Sequence, residues 1–406
     1  MYKLLDIVLI IVLLIGLLFN NRIKLCNKKK ELPYIVMVYL AAAPYRGYIA
    51  TNMPYVDLMI DIILLLYFCV LCVQSRIAIC SNYMVWLVGF LTSATLYSCS
   101  TTGILGIIRI QEVKFYIGIT LLLTIITIKL KSKEGIFDII RIYIVNSIII
   151  SVADIISFII YKNCIFCDIL SNRNFVSIYS FLGLLGLLYL YRSTRKVKIL
   201  VAIVVVLLDL LLMKSSSVYI AIFSLLCIWI LRKLYCTSRG MYRLIIALFG
   251  IAVVITIIIV ASPLASKNGV VMAIQNMRSS QDYTRTLIWD EALSLAKDNM
   301  IFGIGPDKFR DTRTGYKFPT HNDYIKVLTE TGLIGLCAFV TFLISTFKDL
   351  LRIQDKRVKR YVFCAILGLL IFILFHGYIN YVTFWIVLSI PYWWRYYVER
   401  EKKRGV

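Results

Sequence analysis

The sequence predicts an all-α, multi-pass membrane protein, and two observations carry that reading. Hydrophobic residues make up 60% of the chain and the mean hydropathy is +0.84, well above an ordinary soluble domain, in which apolar residues are nearer to half. The formal charge of +23 sits in short basic clusters between apolar runs, the distribution that membrane topology imposes. That distribution sets nucleic acid aside as a partner.

In order, the apolar runs are 4–19, 33–44, 56–73, 83–98, 113–130, 136–160, 174–191, 197–213, 217–231, 242–262, 327–346, 360–376 and 379–394. A helix crossing the hydrocarbon core needs about 20 apolar residues, so 33–44 and 379–394 are marginal. The run 4–19 has nearly the length of a signal-peptide core, but no small-residue cleavage site precedes the basic cluster Arg22 to Lys30, and it is retained as a membrane helix. The loops on one side of the expected topology carry 28 of the 45 Lys and Arg, which puts the C-terminus in the cytoplasm and the long 263–326 segment outside. Thirteen spans place the N-terminus outside as well; if 33–44 is only re-entrant, twelve spans place it inside. The chain reads as one membrane domain over 1–406, with 263–326 as an extracytoplasmic insertion.

That insertion concentrates the residues able to do chemistry. Apolar residues at Ile288, Ala292, Leu295 and Ala296 predict an amphipathic helix over 284–299 with Arg285 in its first turn. Gly303, Gly305 and Pro306 then start an irregular loop. Thr320 is the expected N-cap of the next helix, with Asp323 completing a capping box and His321 and Asn322 in the first turn. Backbone donors and the positive end of a helix dipole gather at such a start and suit an anion.

The chain shows no Gly-x-x-x-x-Gly-Lys-Ser/Thr loop, no dinucleotide fingerprint and no serine elbow. Two histidines are too few for an ordinary zinc set, and the acidic residues form no compact cluster in the insertion, so neither a metal nor another cofactor is expected. Asp57, Asp61, Asp154 and Asp209 fall in or beside spans, where an ionisable group is a functional candidate by default. Pairing with Arg46, an acceptor sugar and a purely structural partner all remain open for them. Most of the 11 cysteines lie in apolar runs and behave as small hydrophobes. A Cys164–Cys167 disulfide is open, and neither that pair nor Cys69 and Cys72 reads as a metal or redox site.

The ordered elements Arg285-x-x-Ile288-Trp289, Phe302-Gly-Ile-Gly-Pro306, His321-Asn-Asp-Tyr324 and Glu330-x-Gly-Leu-Ile-Gly-Leu336 resemble the C-terminal signature of the O-antigen ligase and polymerase family. Asn172-Arg173-Asn174 is similar to that family's Asn-containing helix start. At Lys214-Ser215-Ser216-Ser217 the chain departs from it, because no arginine follows the serines where many members have a Ser-Arg pair.

The resemblance implies a GT-C-like glycosyltransferase in the bacterial cytoplasmic membrane, its active site extracytoplasmic. Its substrate would be a polyprenyl-pyrophosphate-linked oligosaccharide, polymerised into capsular, O-antigen or other surface polysaccharide. A ligase transferring the glycan to a different acceptor is the alternative. A flippase or transporter is the reading from another class, although it would need no such Arg and His constellation and would be expected to show pseudo-symmetric halves. Membrane lipid, a flippase and a chain-length regulator are the expected partners. Arg is suited to a leaving pyrophosphate because it is always charged and offers a planar fork of donors. A His with a pKa near 6.5 is suited to accept a hydroxyl proton. Arg285 and His321 are the expected catalytic residues, with Arg278, Arg310, Arg313, Asn322, Tyr324 and His376 as expected substrate contacts.

Overall fold

A computed structural model describes residues 32–74, 79–101, 111–130, 132–161, 173–213, 215–237, 280–312 and 319–403. Those residues are 85% helical and contain no strands. The expected runs 4–19 and 242–262, with Arg278, Arg313 and the Cys164–Cys167 pair, lie outside the described residues.

The chain begins with α1 (Tyr34–Ala42), a 3-10 turn (Ala43–Tyr45) and α2 (Arg46–Asn52). This replaces the single apolar run expected at 33–44. Pro44 has no amide hydrogen to continue α1, so the segment breaks into two short, largely buried pieces. There follow α3 (Pro54–Gln74), α4 (Ser81–Thr101), α5 (Gln111–Lys129), α6 (Lys133–Tyr161), α7 (Arg173–Thr194), α8 (Val197–Met213) and α9 (Ser216–Thr237). The C-terminal part comprises α10 (Ser280–Asp298), α11 (Asp323–Arg352), α12 (Lys356–Phe372) and α13 (Val382–Lys403). Among the described residues five helices, α3, α5, α6, α7 and α11, are long and apolar enough to cross a membrane.

The core is built around α4 and α11, which run side by side. A Cβ on Gly89 would stand 2.2 Å from that of Ala338, so only a glycine allows these two backbones so close. Below that contact Asn82 donates to Asp349 at 2.7 Å and accepts from Ser345 at 2.7 Å, a polar tie of the kind that holds helices together in lipid. Beside it Trp86 stacks on Trp385 with centroids 5.7 Å apart, and Phe90 meets Tyr116 edge-on at 4.4 Å. These ring contacts lock α5 and α13 onto the α4–α11 pair.

The intramembrane acids are all engaged. Arg46 donates through Nε to Asp57 and through a terminal nitrogen to Asp61, both at 2.8 Å, and also to the Tyr39 hydroxyl at 2.5 Å. Asp209, fully buried, accepts from Ser151 at 2.8 Å and Ser180 at 3.0 Å beside Asp154.

Candidate functional site

Helix α10 carries its buried residues at Ile288, Ala292 and Ala296. Ile288 and Ala292, with Phe309, form a small core against Ile304 and Ile325, separate from that of the bundle. Arg285 precedes Ile288 by three residues and so lies on this inward face. Because α10 begins at Ser280, Arg285 sits in its second turn, not the first. Trp289, one turn further on, donates its indole hydrogen to the Thr320 carbonyl at 2.8 Å. The Arg-x-x-Ile-Trp element therefore fixes the cation of α10 beside the turn that holds His321.

The turn itself differs from the sequence expectation. Asn322, and not Thr320, caps α11, its side-chain oxygen accepting from the amides of Tyr324 and Ile325 at 3.0 and 3.2 Å. His321 stands outside the helix at φ +51°, a left-handed conformation that a non-glycine residue adopts at a cost and that clusters at functional sites. Asp323 cannot close a capping box with Thr320 because its carboxylate points elsewhere: Oδ2 accepts from the amides of Tyr378 and Ile379 at 2.5 and 2.6 Å. The Asp323 amide in turn donates to the Ile373 carbonyl at 2.8 Å. These bonds clamp the His321 turn to the loop that follows α12, and that loop carries His376.

The clamp brings both histidines within the field of Arg285. Burial first, then the Arg285 charge, holds the pKa of His321 below its usual value. His376 is pushed down to about 3 by burial, then by Arg285 and His321. Its Nε2 is buried and without a hydrogen-bond partner among the described residues, while its ring lies 6.0 Å from Phe175 and 5.9 Å from Phe372. Among the described residues no carboxylate pairs with Arg285. Two imidazoles whose protonated forms are disfavoured and one nearby guanidinium make a site able to accept a proton and to bind a negative group.

The other expected contacts fall differently. Arg310 is exposed and engaged with Asp307 at 2.9 Å and the Phe309 carbonyl at 2.6 Å. Asn322 spends its side-chain oxygen on the helix cap. Tyr324 turns into the bundle, its hydroxyl donating to the Leu370 carbonyl at 3.2 Å.

The Gly-Ile-Gly-Pro loop is held by a charge network that sequence reasoning missed. Glu330 accepts from the Asp307 and Phe309 amides at 2.9 and 3.3 Å and from Lys326 at 2.5 Å. Lys326 also donates to Glu112 at 2.5 Å, and Asn380 donates to the same Glu112 oxygen at 2.7 Å. The available signal was the four-residue spacing of Lys326 and Glu330; the partner on α5 had none. Gly332, at φ +63° and ψ −164°, kinks α11 in a region open essentially to glycine alone. A Cβ there would lie 2.3 Å from the Ile301 carbonyl oxygen, and one on Gly303 2.4 Å from Glu330. The glycines of the sequence signature are therefore the contact points of loop and kink.

No curated protein matches the chain. Residues 201–340 match the family model described as O-antigen ligase, a stretch that contains Arg285, His321, Glu330 and Gly332. Over that stretch, about a third of the chain, the sequence is similar to the O-antigen ligase family.

Proposed function

We propose that this protein is a polysaccharide polymerase that transfers a glycan from a polyprenyl-pyrophosphate donor to the hydroxyl of another lipid-linked repeat, on the outer face of the bacterial cytoplasmic membrane. The family's members are glycosyl-transferring enzymes acting on lipid-linked glycans, and the observation that carries the reading is the placement of Arg285 within the field of a half-buried His321 whose pKa is lowered by burial and by that charge. In the reaction the acceptor oxygen bonds to the anomeric carbon of the donor sugar as the bond from that carbon to the pyrophosphate oxygen breaks. His321 takes the acceptor's proton, and Arg285 binds the charge gathering on the leaving pyrophosphate. The glycosyl pyrophosphate supplies the driving force, so no nucleotide is needed, and in this reading Arg285 rather than a metal neutralises the leaving group. Arg310, already committed to Asp307, is a weaker candidate for the same anion.

Polymerase and ligase share this donor chemistry and differ in acceptor. The described part of the insertion favours the polymerase, because it is a small helix-and-loop unit with no separate domain among the described residues for a dissimilar acceptor. Purified protein given one lipid-linked repeat as donor and acceptor, with no ATP and with chelator, is expected to make a ladder of products. A single transfer that begins only when a second kind of acceptor is added would establish the ligase instead.

A further inference from the structure

The turn that joins α10 to the Gly-Ile-Gly-Pro loop is apolar where a water-exposed turn would be polar. Leu293, Met300, Ile301, Phe302 and Leu333 are between 38 and 58% exposed among the described residues. Leu293, Met300 and Leu333 border a cleft of about 390 Å³ between α10 and α11 that Lys297 edges.

The level of this turn follows from α11. Gly332 ends the distorted start of the helix, and the uninterrupted part from Leu333 to Arg352 is roughly 30 Å long at 1.5 Å per residue, the thickness of a hydrocarbon core. Its far end is charged: Arg395 pairs with Asp349 at 3.0 Å and Arg352 reaches the same carboxylate at 4.0 Å. If that belt marks one boundary of the bilayer, Leu333 marks the other. Val340 and Ile344 are exposed further along the same helix, so the apolar surface of the turn continues that of a membrane-spanning segment.

The backbone of the turn supplies an independent reason. The Met300 carbonyl accepts from the Leu333 amide at 2.8 Å and the Ile301 carbonyl from the Ile334 amide at 3.4 Å. Ser93 Oγ donates to the Phe302 carbonyl at 2.8 Å. Every carbonyl of Met300-Ile301-Phe302 is thus satisfied within the protein. A turn in water has no need of this, whereas irregular backbone at hydrocarbon depth is tolerated only when so satisfied. The positive φ of Gly332 is what turns the two α11 amides toward it.

We infer that Met300-Ile301-Phe302, with Leu293 and Leu333, is a wedge inserted among the lipid acyl chains of the leaflet on the Arg285 side. The wedge holds α10 at the membrane surface, where Lys297 can extend its ammonium to the headgroups. Arg285 is thereby kept at the level at which a lipid-borne phosphate must lie. The inference rests on the fold and stands whether or not the chain is a polymerase.

The test uses the full chain in phospholipid nanodiscs with the photoreactive p-benzoylphenylalanine at Ile301, and separately at Leu293, with exposed Asp298 as the comparison position. Irradiation is expected to give phospholipid adducts at Ile301 and Leu293, read by mass spectrometry, and loss of them at Asp298. Adducts to protein in place of lipid at Ile301 and Leu293, whether to this chain or another copy, would overturn the inference. So would intact protein with no adduct, or equal lipid labelling at all three positions.

Discussion

Asp323 accepts the amide hydrogen of Tyr378 at 2.5 Å across 55 residues of sequence, and with the neighbouring Ile379 amide this joins the two histidine-bearing segments. Hydrogen bonds to a charged group contribute about 1.5–3 kcal/mol, and buried donors left unpaired cost a similar amount. Asp323→Ala is expected to lower thermal stability in detergent and to remove most transfer activity by releasing the His376 loop. Asp323→Asn keeps an oxygen able to face both amides and should retain clearly more of each. Thermal unfolding and transfer assays on the two variants check this, and equal behaviour would mean that the clamp is dispensable.

Both histidines should titrate below the usual value near 6.5, His376 lower than His321, because burial and then Arg285 disfavour their protonated forms. The folded pKa values are depressed, so the native state holds fewer protons than the unfolded chain in this range. The stability they contribute is present above about pH 6.5 and lost as pH falls below it. Activity that depends on neutral His321 should fall in the same direction. With two histidines in the chain, ¹³C-histidine NMR can follow each, and Arg285→Gln should move both titrations toward higher pH. No movement of either would remove Arg285 from their neighbourhood.

Gly332→Ala is expected to be severely destabilising. It forces an alanine into a glycine-only region, costing about 1–3 kcal/mol, and sets a methyl group 2.3 Å from the Ile301 oxygen. Gly118 on α5 has nothing within 4 Å of its built Cβ, so Gly118→Ala should be neutral or stabilise by about 0.5–1 kcal/mol. Thermal unfolding of the pair separates the kink from a general intolerance of alanine for glycine.

Lys326→Met leaves Glu112 and Glu330 buried without their cation and should cost about 3–5 kcal/mol. Adding Glu330→Gln to it removes one of those charges and should recover part of the loss. A double variant less stable than Lys326→Met by the full cost of Glu330→Gln measured alone would show that the two residues do not act as a unit.

Much of this architecture was legible because membrane helices announce themselves as apolar runs. The amphipathic helix of the insertion was legible for the same reason: Ile288, Ala292 and Ala296 recur at helical spacing and are buried. Arg285 and His321 stood out by residue type and motif order. What the sequence could not show was reach. The Asp323 carboxylate has a nearby capping role to suggest and a distant one to perform, and nothing at position 323 points to residue 378. His321 likewise read as a first-turn residue, since a positive φ in a non-glycine is imposed by tertiary contacts, here the Trp289 bond to Thr320 and the Asn322 cap. Glu112, just outside the apolar run 113–130, reaches Lys326 from α5, and nothing around position 112 points to that partner.

The central claim is that Arg285 and His321 perform glycosyl transfer from a lipid pyrophosphate. It is tested most directly by the release of polyprenyl pyrophosphate from a purified lipid-linked glycan, measured for the wild type, Arg285→Ala, Arg285→Lys and His321→Ala at equal amounts of folded protein. The wild type should release one polyprenyl pyrophosphate for each glycosidic bond formed. Both alanine variants should fall by about 100-fold or more, and Arg285→Lys should recover little, because an ammonium cannot reproduce the bidentate fork. Undiminished release by either alanine variant would contradict the assignment of that residue, and undiminished release by both would place the reaction elsewhere in the protein.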